Sequence, residues 1–323
     1  MNNNRKYKEL PSLSRLKEIL RKTISTAWHI NTIHENAINQ WLNNFNGSSL
    51  YQFKNNHNEA KKLEQRIALF LLCNFVYYNE QEVKHLMRNM MGKYIHSFFV
   101  GKNKKTIEEE EIDRLIKVTS FCSLGNQSES SSYMLYLFRQ VNDLSKNDFI
   151  IKTDCENLVF IDDFSMTGTQ AEWYIKDFFK NNPEYKSKNI YILLSISTTE
   201  AMDKLKKING VNNVIACIVM NDTSKAFSDS SIIFQGYSPE LKEQAKTMCT
   251  YYGEKILSNE DKKDGATPLG YGDCGYLLGT YYNTPNNTLP IIWAEENSWN
   301  PIFKRYNKKY VSDNKVRLGG QYV

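Results

Sequence analysis

From Leu13 to about Ile116 the apolar positions recur every three or four residues, as in Leu16, Leu20, Ile24 and Ala27, and again in Leu63, Ile67, Phe70, Leu71 and Phe75. This spacing lays one apolar stripe along each of several helices, so residues 1–117 read as an all-helical N-terminal region. NNFNGSS, Asn43 to Ser49, is a turn cluster, and the charge run GKNKKTIEEEEIDRL enters one further amphipathic helix. After Val118 the period changes. Short apolar runs VTSFCSL, FIIK, NLVFI, NIYILLSI and VNNVIACIVM alternate with helical segments YMLYLFRQV, AEWYIKDFF and EAMDKLKKI. Strands that are apolar on both sides and separated by helices imply a parallel sheet flanked by helices. Residues 118–257 are expected to be such an α/β domain. Its last helix should begin at Ser238 and Pro239, where Ser can cap the free amides and Pro suits the first turn. Residues 258–323 form a loop-rich C-terminal tail, rich in Gly, Pro, Asn and aromatics. It is expected to add one strand, YLLGTYY, and to fold back on the α/β domain as a cap.

Composition removes alternatives rather than adding a function. With 41% apolar and 24% charged residues, the 323-residue chain can bury a core and is not a disordered polymer. The formal charge of +5 permits contact with nucleic acid without arguing for it. Cys73, Cys122, Cys155, Cys217, Cys249 and Cys274 are scattered, with no CxxC pair, so neither a zinc site nor a disulfide framework is indicated. No run approaches the roughly 20 apolar residues of a membrane span, and MNNNRKYKEL lacks the apolar core of a signal peptide. The expectation is a cytoplasmic protein without a membrane partner.

The chemistry concentrates in NLVFIDDFSMTGTQAEW, Asn157 to Trp173. Leu158 to Ile161 reads as a buried parallel strand, which puts Asp162 and Asp163 at its carboxyl end, the edge where open α/β sheets bind ligands. The turn Phe164, Ser165, Met166, Thr167, Gly168, Thr169, Gln170 then opens a helix whose first amides lack partners. Such amides suit a phosphate, and a glycine lets it come close. Ionised Asp162 and Asp163 are acceptors for two neighbouring sugar hydroxyls, or oxygen donors for a hydrated Mg2+. A ribose carrying a 5′-phosphate meets all these demands together. The structural alternative has Asp163 capping the turn and Asp162 pairing with a lysine. It accounts for an isolated DD, but not for the ordered strand, DD, Thr-Gly and helix.

This segment resembles the phosphoribosyl pyrophosphate (PRPP) motif of type I phosphoribosyltransferases: a hydrophobic strand, two acidic residues and a turn usually ending Thr-Thr-Gly-x-Thr. The resemblance implies the type I fold, ribose hydroxyls addressed by Asp162 and Asp163, and a 5′-phosphate wrapped by Phe164 to Gln170. Met166 stands where the first Thr is usual, and Gln170 where the last is. The family's pyrophosphate loop follows its first core strand. Here that place is taken by SLGNQSESSS, with Gly125, Asn126, Gln127, Ser128, Ser130 and Ser131 as its candidate residues. The family's mobile loop is missing or relocated, because FIIK is separated from Asn157 by TDCE alone. His29, His34, His57, His85 and His96 all lie in the helical third, which leaves a carboxylate, Lys225 or a group from the tail as base. The tail residues Asp273, Asn286, Asn287 and Trp293 are structural turn formers, or else a cap that stacks on a base and closes the sugar pocket.

The SESSS loop, the DDFSMTGT turn and the tail segments PLGYGD, NTPNNTLPIIW and WNPIFKR together resemble a narrower group, the phosphoribosyltransferase-like proteins of bacterial conflict systems, some encoded with retrons. That likeness implies an antiphage effector held inactive until infection. Its ligand would be PRPP or a nucleotide. Its partners would be a retron reverse transcriptase, its DNA product or a small DNA-binding protein. Three classes stay open: an enzyme of glycosyl transfer or N-glycosidic cleavage, a non-catalytic nucleotide sensor, and a helical adaptor.

Overall fold

The computed structural model describes residues 7–28, 33, 35–100, 106–125, 130–263 and 265–305, with the backbone alone for 130–132. The chain opens with helices α1 (Leu13–Thr23), α2 (Glu35–Asn43), α3 (Tyr51–Lys54) and α4 (His57–Cys73). Strand β1 (Val76–Tyr78) and helices α5 (Glu80–Val100) and α6 (Glu109–Lys117) follow. Then come β2 (Thr119–Ser123), α7 (Ser130–Val141), β3 (Asn157–Ser165), α8 (Thr169–Asn181), β4 (Asn189–Thr198), α9 (Thr199–Lys206) and β5 (Val211–Met220). Helices α10 (Pro239–Ile256) and α11 (Asn259–Lys263), strand β6 (Leu278–Thr280) and helix α12 (Pro290–Trp293) complete it. Local chemistry sets many of these starts. Ser12 accepts from the Arg15 amide at α1, Asn56 from the Asn58 and Glu59 amides at α4, and Ser238 from the Leu241 amide at α10, where Pro239 takes the first position as expected.

The main sheet is parallel throughout, in the order β2-β3-β4-β5. Each of its faces is covered. Val159 and Ile161 of β3 pack with Met87, Met90 and Tyr94 of α5 and with Leu137 and Phe138 of α7. Leu158 and Phe160 pack on the other side with Ile175 and Phe179 of α8 and Leu205 of α9. Alternating side chains of one strand thus feed two apolar layers, the reason the run had to be apolar at every position. Because α7 leaves β2 toward one face and α8 leaves β3 toward the other, a crevice opens beyond the carboxyl ends of these two strands. The free edge of β5 is guarded by Lys93, whose Nζ donates to the carbonyls of Ala216 and Cys217 at 2.8 and 3.1 Å.

A second core joins the front helices to α10 and the tail. Trp41 donates from Nε1 to the Ile291 carbonyl at 2.8 Å, and Tyr252 donates to the buried Glu64 carboxylate at 2.6 Å. Glu64 also accepts from the amides of Gly47, Ser49 and Leu50 and the Ser49 hydroxyl, so its charge is buried with a full set of donors.

Three details differ from the sequence reading. The front third is helical except for β1, which pairs in parallel with β6 as a separate two-stranded sheet. The tail strand is therefore Leu278–Thr280, shorter than YLLGTYY, and it extends this small sheet instead of the main one. FIIK is not a strand. Its Phe149 ends a 3-10 turn, Lys146–Phe149, boxed by Ser145 and Asp148. Lys152 then reaches the edge of β2 only through its amide bond to the Ser120 hydroxyl, 3.1 Å, so no ladder forms.

Candidate active site

Strand β3 runs on through both aspartates to Ser165, because Asp162 and Phe164 keep register with Leu194 and Ile196 of β4. The pleat then sends the two carboxylates to opposite sides. Asp163, 4% exposed, shares the side of Val159 and Ile161; half-buried Asp162 shares that of Leu158 and Phe160. Each is tied to the following backbone: Asp162 Oδ1 accepts from the Asp163 amide at 2.9 Å and Asp163 Oδ1 from the Phe164 amide at 2.8 Å. The second oxygen of Asp163 accepts from the Tyr282 hydroxyl at 3.0 Å. Burial first, and then the Asp163 charge, raise the Tyr282 phenol well above its ordinary value. Tyr282 is therefore a fixed donor and not a base.

The turn after β3 is held by two hydroxyls at the end of β4: Ser197 donates to the Ser165 carbonyl at 2.8 Å and Thr198 to the Met166 carbonyl at 2.7 Å. Gly168 caps α8 in the left-handed region, φ 70°, and a Cβ there would stand 3.2 Å from both Cα and O of Ala201. Conformation and close packing both require glycine at this point. Glycine brings no side chain to the cap position, so Gly168 itself makes no side-chain hydrogen bond to the start of α8. Thr169 accepts from Lys204 Nζ at 3.0 Å, and Lys204 is itself paired with Glu172 at 3.0 Å. Lys176 and Lys204 together hold the Glu172 carboxyl below the usual range.

These elements line one cavity of about 510 Å3. Asp162 to Ala171 form one wall, and Tyr271, Asn283, Pro285, Asn286 and Asn287 of the tail form the facing one. The tail wall is knitted by the Tyr271 amide donating to the Asn286 carbonyl at 2.8 Å and Asn287 Nδ2 donating to the Tyr271 carbonyl at 3.0 Å. The end of a parallel strand, an acidic pair and a helix start thus share one cavity. A protein-family model, PRTase-CE, matches residues 38–305. The chain belongs to the PRTase-CE family. PRTase-CE proteins are phosphoribosyltransferase-like, in keeping with the parallel sheet expected for the type I fold. Neither the curated proteins nor the solved structures contain a match.

Within this PRTase-CE chain the expected site residues divide. Asp162 through Gln170 line the cavity together, and Asn286 and Asn287 join them from the tail. Met166 does so from an anchored position: its side chain is buried with Leu86, Ile196, Cys274, Tyr276 and Leu278, fastening the turn to the tail. An apolar anchor explains why a hydroxyl residue does not stand there. Gly125 follows β2 beside the motif, since the Leu124 amide donates to the Ile161 carbonyl at 2.9 Å. Asn126, Gln127 and Ser128 lie outside the described residues, and Ser130 and Ser131 open α7.

Two of the tail residues stand away from the cavity. Trp293 is buried in the second core and donates from Nε1 to the Thr288 carbonyl at 2.8 Å, so its ring is not free to stack on a base. Asp273 is exposed and accepts from the Thr267 hydroxyl at 2.6 Å, a turn contact outside the cavity wall. Lys225 is not a base either, because its 2.8 Å pair with Asp222 raises its pKa. Of the described histidines, none lines the cavity.

Two residues escaped the sequence reading. Tyr282, 119 positions from Asp163, carries no local signal. Trp173 carried one: Ala171, Ile175 and Phe179 are the buried stripe of α8, and a residue two positions off that stripe faces outward. Trp173 is 62% exposed and lines the cavity.

For Mg2+, Asp162 and Asp163 are hard oxygen donors of the right kind, yet no cluster of three or more candidate ligands occurs among the described residues. This donor set suits a hydrated ion shared with a ligand's phosphate rather than a protein cage. Among the described residues no helix is long and apolar enough to cross a membrane.

Proposed function

We propose that this protein acts at the ribose C1′ of PRPP or a nucleotide, by glycosyl transfer or N-glycosidic cleavage, as the effector of a bacterial antiphage system. The observation that carries the reading is the single cavity lined both by the two aspartates of β3 and by the turn through Gly168 that begins α8. Asp162 and Asp163 hold the ribose hydroxyls, and the amides hold the 5′-phosphate. With the sugar fixed at both ends, the carboxylates lie beside the ring where positive charge develops as the C1′ bond breaks, and fixed dipoles act most strongly there. A Mg2+ shared between the acidic pair and the ligand would neutralise phosphate charge. Purified protein incubated with PRPP and a nucleotide mixture should convert at least one compound, read by mass spectrometry. Asp163→Asn should abolish that conversion, and identical pools in both samples would refute the enzyme.

A second reading, a nucleotide sensor controlling a retron reverse transcriptase or a small DNA-binding protein, is favoured by a lining that, among the described residues, includes neither a histidine nor Lys225. It predicts stoichiometric binding with no product. For the antiphage role, phage plaques should return when Asp162 and Asp163 are both replaced by Asn in cells carrying the complete system.

A further inference from the structure

We infer that the ligand extends past its 5′-phosphate to a second aromatic base that stacks on Trp173, the chemistry of a dinucleotide. The inference rests on the ribosyl phosphate reading of the same site. At about 510 Å3 the cavity falls in the range of roughly 300–1,000 Å3 that encloses a drug-sized ligand, more than a pentose phosphate needs. Its lining runs to both sides of the α8 start. Asp162 and Asp163 precede the phosphate-holding turn, and Trp173 follows Thr169 by one helical turn, about 6 Å along the axis.

Packing does not account for this tryptophan, which lies off the buried stripe of α8. Among the exposed large apolar side chains of the described residues, Trp173 alone lines the cavity. Tyr271 and Ala266 bound the space from the tail. Arg305, seated over the Trp293 ring at 5.5 Å, brings a cation to the same lining. A guanidinium in a lining that also holds Glu260 and Asp261 gives the far side of the cavity mixed charge, so the bridge is assigned as a diphosphate by its place between the α8 start and Trp173. PRPP carries its diphosphate on C1′ and would leave the Trp173 side empty. A flat ring on an indole face is tolerant of base identity, so the class is set by the bridge and the second ring.

Calorimetric titration of the full-length protein with ribose 5-phosphate and with ADP-ribose tests this. ADP-ribose should bind about tenfold tighter or more, the scale of one stacked base. Trp173→Ala should bring the ratio near one, and Trp173→Phe should keep most of it. Equal affinity of the two probes in the unaltered protein, or a ratio that Trp173→Ala leaves intact, overturns the inference while the ribosyl phosphate site stands. Failure of both probes to bind overturns the site and the inference together.

Discussion

Replacing Tyr282 by phenylalanine removes one oxygen and leaves Asp163 Oδ2 without its 3.0 Å donor. Asp163 is 4% exposed, so little of the lost bond is restored by solvent on the Tyr282 side. A hydrogen bond to a buried charge contributes about 1.5–3 kcal/mol. Taking about 2 kcal/mol, and about 2.1 cal/mol/K of unfolding entropy per residue, melting should fall by about 3 °C. Urea denaturation of the unaltered protein, Tyr282→Phe, Asp163→Asn and the double variant closes a cycle that isolates the pair. The coupling should be at least about 1 kcal/mol, because the two groups are in contact and share one bond. Ligand affinity should fall with Tyr282→Phe as well, since the tail tyrosine fixes the carboxylate that meets the sugar. A coupling below about 0.5 kcal/mol would mean that Tyr282 does not hold Asp163, and that the tail contributes shape to the site without orienting its acid.

Gly168→Ala forces a side chain into the left-handed region and against Ala201; it should destabilise by about 1–2 kcal/mol and weaken ribose 5-phosphate binding at least tenfold, both measurable on one preparation. Tyr276 has a buried hydroxyl with no partner among the described residues, so Tyr276→Phe should raise stability by about 1 kcal/mol in urea titration; a loss instead would reveal a bond to that oxygen. Burial holds the phenols of Tyr94, Tyr252, Tyr276 and Tyr282 above their ordinary value and pushes Tyr77 up to about 12. The folded state therefore keeps protons that the unfolded chain releases near pH 10. Stability should be level below about pH 10 and decline as pH rises through the folded values, and a urea midpoint unchanged between pH 9 and 11.5 would contradict the burial.

The parts of this architecture that were legible are those in which one local rule sufficed. Leu158 to Ile161 had to be a strand covered on both faces, and Ser238 with Pro239 had to start a helix. The rest depended on partners far along the chain. Two charged residues read as the end of a strand, yet β4 carries the ladder through Asp162 to Ser165 and so splits the acidic pair between faces. Three apolar residues and a lysine in FIIK satisfy a strand pattern, but beside β2 the segment makes a ring contact of Phe149 with Phe121 and an amide bond to the Ser120 hydroxyl in place of a ladder. Trp293 looked free because it stands in a loop-rich segment. The decisive facts are a short helix, α12, and an apolar core built from α1, α2, α4 and α10, which no local pattern around Trp293 announces.

The tail forms the side of the cavity that faces the motif turn. Its wall is braced from behind at close quarters. A Cβ on Gly253 of α10 would meet the Pro268 carbonyl oxygen at 2.4 Å, and one on Gly270 would meet the Asn287 carbonyl oxygen at 2.6 Å. Met166, Cys274, Tyr276 and Leu278 then lock the wall to the turn itself, and Tyr282 adds the bond to Asp163. Water exclusion by a moving lid stabilises the closed state only when ligand is bound. Here the wall is joined to the turn by contacts of the chain itself, a buried apolar cluster and one hydrogen bond to the acidic pair.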